Sequence, residues 1–185
     1  MIRSIVCCAS NYGIGKVNKE TGVGELLFDI PADMMHFRKE TTGKVCVFGY
    51  NTYMSLPKRP LKNRLNIVLW DKATSLDCLP GAITFSDFNA MMNCIKLISQ
   101  VIDVYISGGG GVYAATLPYV DLVDITFVGE SDPEATVFFP NLSENGFIVG
   151  TAAPFHKEDG ALGTNGHYIS EQIWVRKQQE SEMVK

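Results

Sequence analysis

At 185 residues, 46% hydrophobic and 19% charged, the chain can bury one substantial core and is too apolar for extended disorder. A net charge of −4 with no lysine or arginine run excludes the electrostatic footprint of a nucleic-acid binder. No stretch reaches the roughly 18 uninterrupted apolar residues of a membrane span, and the apolar opening over 1–8 is too short for a secretory signal, so the expected setting is cytoplasmic with no membrane partner.

Five cysteines without a Cys-x-x-Cys pair point to free thiols in a reducing compartment. In chain order, short runs rich in Val, Ile and Leu predict strands over 2–8, 44–49, 65–70, 82–85, 103–107, 122–128, 147–154 and 170–176. Helices are predicted over 31–41, where Pro31 suits a first turn, and over 51–56, ending at Pro57. Another is expected over 86–99, capped by Ser86, with Phe88, Met91, Met92, Ile95 and Ile98 at helical spacing, and a last one over 110–117. Four glycines and a proline make 150–166 a loop or loose hairpin, and a polar tail begins at about 177. The alternation predicts one α/β domain over 1–185 with a largely parallel sheet, its continuous apolar strands covered on both faces.

Three constellations could carry chemistry. Ser107 followed by Gly108, Gly109, Gly110 and Gly111 joins an apolar strand to a helix, which is either a backbone cradle for phosphate or a plain tight turn. It matches neither the Walker nor the Rossmann fingerprint. Asp33 follows Pro31-Ala32 in a helical first turn, where an acid complements the dipole, yet Phe28, Ile30, Met34 and Phe37 surround it in sequence. A carboxylate in such company is desolvated and binds its proton more tightly. Thr52, in the run from Gly49 to Pro57, either caps a helix or donates to a phosphate. Among Lys58, Arg59, Lys62 and Arg64, one arginine could pair with a substrate carboxylate instead of only facing solvent. The histidines 36, 156 and 167 have no metal-ligand spacing, His36 reads as a packing or surface residue, and no Gly-x-Ser-x-Gly elbow occurs.

Taken in order, the chain resembles dihydrofolate reductase. The resemblance is carried by Ile5-Val6, Gly13-Ile14-Gly15, Ile30-Pro31-Ala32-Asp33 with Phe37, and Val47-Phe48-Gly49 with Asn51, Thr52 and Ser55. Pro60-Leu61-Lys62-Asn63-Arg64, Asn66-Ile67-Val68-Leu69, Gly108-Gly109-Gly110 with Val112-Tyr113, Leu117-Pro118 and Ile125-Thr126 complete it, over about residues 1–140. It implies a mostly parallel eight-stranded sheet with an antiparallel C-terminal edge and about four helices. It also implies a monomer that reduces 7,8-dihydrofolate by hydride transfer to C6 and protonation at N5. Asp33, Thr126 and Phe28 would be the catalytic group, with Thr126 supporting Asp33 from behind. Ile5, Val6, Phe37, Leu56, Leu61, Arg64, Ser107 and Tyr113 would hold the substrate, Arg64 through the glutamate α-carboxylate. NADPH would lie against Cys7, Ile14, Gly15, Gly49, Tyr50, Asn51, Thr52, Leu69, Trp70, Asp71, Lys72, Gly108, Gly109, Gly110, Gly111 and Val112. A cis peptide would join Gly108 to Gly109, and the loop over 15–27 would be a mobile cover.

The sequence departs from the family pattern in ways that bear on specificity. Phe28 stands where tryptophan is usual and Ser107 where an aliphatic residue is usual. Tyr50 and Gly111 occupy places often held by arginines that bind the 2′-phosphate, and Asp71 would repel it unless Lys72 dominates. A weakened preference for NADPH follows, with NADH as the second cofactor. Two rival functions share the fold: a pyrimidine reductase of the riboflavin pathway, and a non-catalytic folate-binding or structural protein.

Overall fold

The computed structural model describes residues 1–18, 20, 24–74 and 77–177. Eight strands form one mixed sheet: β1 (Ile2–Ala9), β4 (Val45–Gly49), β5 (Leu65–Leu69), β6 (Ala82–Phe85), β7 (Val104–Ile106), β8 (Leu122–Val128), β10 (Phe147–Ala152) and β11 (Ile169–Arg176). They lie in the order β10-β11-β8-β1-β7-β4-β5-β6. All pairings from β8 to β6 are parallel, while β11 runs antiparallel to both β8 and β10. The expected architecture is therefore present, down to the antiparallel edge. β4 and β7 are buried along almost their whole length, as strands covered on both faces must be, whereas the edge strand β10 is largely exposed.

Four helices flank the sheet: α1 (Pro31–Thr41), α2 (Tyr50–Ser55), α3 (Phe88–Ile98) and α4 (Gly110–Thr116). α3 buries Met91, Met92 and Ile95 in the main core, with Phe88 and Ile98 packed on its margin, as the spacing required. Its cap is Asp87, whose carboxylate accepts from the Ala90 N–H at 2.7 Å, one residue later than the expected Ser86. The even-numbered residues Ile2, Val6 and Cys8 of β1 enter that core. The odd-numbered face lies toward α1, where Cys7 packs with Phe28, Ile30 and Ala32.

Three short strands were not among the predicted elements. The segment expected as a cover over 15–27 carries most of β2 (Gly13–Val17) and β3 (Gly24–Leu26), paired antiparallel with Gly15 opposite Leu26. With β9 (Val137–Phe138) they form a second, three-stranded sheet. Glycines at 13 and 15 hid the strand, yet both are needed there. A Cβ on Gly13 would lie 2.8 Å from Ala135 Cβ, and one on Gly15 would lie 2.9 Å from the Glu25 carbonyl oxygen. Residues 19 and 21–23 of that expected loop, and 178–185 of the expected tail, lie outside the described residues.

The segment over 150–166 is a strand end followed by a loop, and it fixes α1. The Ala32 N–H donates to the Gly163 carbonyl at 3.0 Å, and Asn165 Nδ2 donates to the Asp29 carbonyl at 3.1 Å. The chain beyond residue 140 therefore anchors the turn that carries Asp33. Among the described residues no helix is long and apolar enough to cross a membrane.

Candidate active site

Asp33 sits in the first turn of α1, half-buried over the face of the sheet formed by Ile5, Cys7, Asp124 and Thr126. The register explains the grouping: Ile5 is opposite Asp124 and Cys7 opposite Thr126, and Glu171 on β11 is opposite Thr126. Burial is the largest influence on Asp33 and raises its proton affinity above the ordinary carboxylate range. A hydrogen bond with the Thr126 side chain and the charge of His36 oppose that rise, while Asp124 and Glu171 add to it. Ile30 is buried beside this turn, but Met34, expected among the apolar neighbours, is 49% exposed.

Val6 faces away from Asp33. It was expected among the residues that hold the substrate, and strand alternation turns its side chain into the core on the opposite face. Ile5 remains on the Asp33 face, and its carbonyl accepts from the Tyr113 hydroxyl at 2.7 Å. Tyr113 ties this strand to the glycine turn. Its ring lies against Gly108, and burial followed by the Asp33 charge pushes its phenol far above the usual value.

The glycine turn is held by its neighbours. The peptide between Gly108 and Gly109 is cis, and the Gly108 carbonyl accepts from the Gly49 N–H at 2.7 Å. Gly108 has φ +113°, a conformation that side-chain-bearing residues rarely adopt. A Cβ on Gly109 would lie 2.6 Å from Thr52 Oγ1, and one on Gly110 would lie 2.7 Å from Val137 Cγ1. The space beside Gly111 is open. The N–H groups of Gly110, Gly111 and Val112 lie in the first turn of α4, where no intrahelical acceptor exists. Cys7, expected at the cofactor, lies on the Asp33 face, where burial and then the Asp33 charge hold its thiol protonated. Ile14 and Leu69 pack on the main core, and Gly15 lies inside β2.

Along the sheet from Asp33, Phe37, Leu56 and Leu61 pack around the cluster of Cys46, Phe48, Tyr53 and Val68. Arg64 stands beyond them with its guanidinium 5.9 Å from the Phe37 ring centre. Its Nε donates to Thr41 Oγ1 at 2.9 Å, and its terminal nitrogens donate to the Lys62 and Arg38 carbonyls. With five N–H groups, the side chain keeps two for an incoming carboxylate. Buried Asn66 shapes this wall by bonding to both the N–H and the carbonyl of Leu61 and to the Arg64 carbonyl. Ser107 donates to the Tyr105 carbonyl at 3.1 Å, and Phe28 makes an edge contact with His167 at 5.2 Å.

At the ends of β4 and β5, Tyr50 and Trp70 stack with ring centres 4.3 Å apart and planes 19° apart. Asn51, Asp71 and Lys72 are exposed beside them. Sequence reasoning did not single out Asp124, Glu171 or Asn66, and it passed over His36. One signal was available: a lone acid inside the apolar run of β8, two places before Thr126 and therefore on its face.

A dihydrofolate reductase family model matches residues 1–169. The chain belongs to the dihydrofolate reductase family. It is 33% identical over 139 residues to the dihydrofolate reductase of Neisseria meningitidis serogroup A, covering 75% of this chain and 78% of that protein. The Haemophilus influenzae dihydrofolate reductase is 31% identical over 139 residues, with the same coverage of 75% and 78%. Dihydrofolate reductase from Enterococcus faecalis, solved in complex with NADP(H) and RAB-propyl, superimposes with a TM-score of 0.77 at 19% identity, covering 96% of this chain and 97% of that one. Family membership disfavours the riboflavin-pathway alternative.

Proposed function

We propose that this member of the dihydrofolate reductase family reduces 7,8-dihydrofolate to 5,6,7,8-tetrahydrofolate with NADPH. The observation that carries the reading is a desolvated acid, Asp33, on the same sheet face as Ile5, whose carbonyl is bonded by the Tyr113 hydroxyl while the Tyr113 ring lies against the glycine turn. Asp33 accepts hydrogen bonds from N3–H and the 2-amino group of the pterin and so orients the ring. Its raised proton affinity favours protonation at N5, relayed by water because a lone carboxylate at the other edge of the ring does not reach N5. Thr126 steadies the carboxylate, Ile5 and Phe28 wall the ring, Phe37, Leu56 and Leu61 hold the aminobenzoyl group, and Arg64 pairs with the glutamate tail. Ser107 lines the edge of the pterin.

The glycine turn fits a dinucleotide phosphate. Its outer side is open at Gly111, its amides are unpartnered within α4, and the Thr52 hydroxyl lies against Gly109. Gly49 braces the turn, with Ile14, Gly15 and Val112 beside it. When bound, NADPH supplies the hydride that reaches C6; the protein's own contribution is alignment and electrostatics. At the adenine end, the Tyr50–Trp70 stack offers a neutral aromatic face, with Leu69 at the end of β5 and Lys72 as the nearby cation.

The test is NADPH oxidation with dihydrofolate, followed at 340 nm, then repeated with NADH. Turnover with both is expected, and kcat/KM should favour NADPH by less than about 100-fold, or roughly 2.7 kcal/mol. No dihydrofolate-dependent oxidation of either cofactor would refute the assignment.

A further inference from the structure

His36 Nε2 and Asp124 Oδ2 are 2.8 Å apart, and neither belongs to the machinery assigned above. Asp124 is 5% exposed, in the middle of the otherwise apolar strand β8. It lies two residues before Thr126 and so shares its face. His36 is one helical turn beyond Asp33 on α1 and reaches across to the strand. A buried carboxylate beside another acid is costly unless it is paired.

We propose that His36 is a positioning residue for the acid: by holding Asp124 in an ion pair, it keeps this second carboxylate from repelling the charge on Asp33. The proposal rests on the reading of Asp33 as the site's acid.

The surrounding groups set the direction of the effect. On α1, Glu40 adds negative charge near His36 and accepts from the Tyr105 hydroxyl of β7 at 3.3 Å. On β11, Glu171 faces Asp33 and is 3.8 Å from His156. The Cys7 and Cys8 thiols of β1 and the Tyr113 phenol of α4 are held neutral by burial, with the Asp33 charge adding to it. Arg38 and Lys39 lie exposed in the last turn of α1, so His36 is the basic residue of that helix that contacts Asp124. Its bond to Asp124 is the largest influence on it and raises its pKa above 6.5. The pair stabilises the fold fully below the unfolded imidazole value, and this stabilisation is lost as pH rises through the folded value.

His36→Gln keeps a hydrogen-bond donor but removes the charge. Asp124 then stands uncompensated, and Asp33 holds its proton to higher pH. The falling alkaline limb of kcat/KM for dihydrofolate should move up by about half a unit or more. Asp124→Asn should leave the limb at or below the wild-type position, the double variant should return it toward wild type, and His36→Lys should retain it. The carboxyl 13C resonance of Asp33, titrated in the cofactor-free full chain, must move with the limb. That readout needs no turnover, so it separates failure of this proposal from failure of the assigned reaction. Asp33 resonances and limbs that superimpose for wild type and His36→Gln would overturn the proposal and reduce the pair to a packing role.

Discussion

Asp33→Asn is expected to lose about 100-fold or more of turnover near neutral pH, roughly 2.7 kcal/mol of transition-state stabilisation, while cofactor affinity stays within about twofold. The amide retains the shape but holds no charge to orient the pterin's two donors or to favour a proton at N5. The same substitution should leave the fold as stable or more so. In the folded chain Asp33 has a proton affinity above the ordinary carboxylate range, with burial as the largest cause. Between the unfolded and folded values the native state holds a proton that the unfolded chain has released. Stability therefore falls as pH rises through the folded value, and the ionised acid is a net cost at neutral pH. Melting temperatures of the two proteins should converge in acid, with the variant ahead at neutral pH. Retention of turnover within threefold would remove Asp33 from the mechanism, and a variant that melts lower at pH 7 would contradict the desolvation argument.

Gly109→Ala is expected to weaken the dinucleotide site by about tenfold or more in Kd, equivalent to about 1.4 kcal/mol. The added methyl would sit 2.6 Å from Thr52 Oγ1, so either Thr52 rotates away or the turn shifts. Thr52 branches at Cβ and has few alternative rotamers, which makes movement of the turn the larger share. Because the adjoining Gly108 carbonyl accepts from the Gly49 N–H, a shift also loosens the link between the β4 and β7 loops. Fluorescence titration of NADPH checks the affinity. The pair Gly109→Ala with Thr52→Ala should recover the melting temperature but not the affinity, since the hydroxyl is then missing. An affinity unchanged in Gly109→Ala would mean that the turn does not approach the phosphates.

Much of the fold was legible because β-rich apolar runs and helical spacing are local signals. All eight strands of the main sheet and all four helices fall on predicted segments, within a few residues at their ends. The small sheet was not legible, since β2 contains glycines at 13 and 15 and β9 is only two residues long. These pair for reasons of close approach, which no local pattern records.

The site divides similarly. Asp33, Thr126, the glycine turn and Arg64 stood out in the sequence through residue type and order. The direction of Val6 became clear only when one face of β1 was assigned to the core, and the exposure of Met34 only when α1 was laid on the sheet. His36 looked like a surface or packing residue because its partner lies 88 positions away.

By itself, then, the sequence determined the order of elements, the family, and which residue types were available for chemistry, since each of these is written in local pattern and spacing. Tertiary structure alone decided which charges meet. The Asp33 neighbourhood brings α1 against β8 and β11, and electrostatic coupling there depends on distance and burial rather than on separation along the chain.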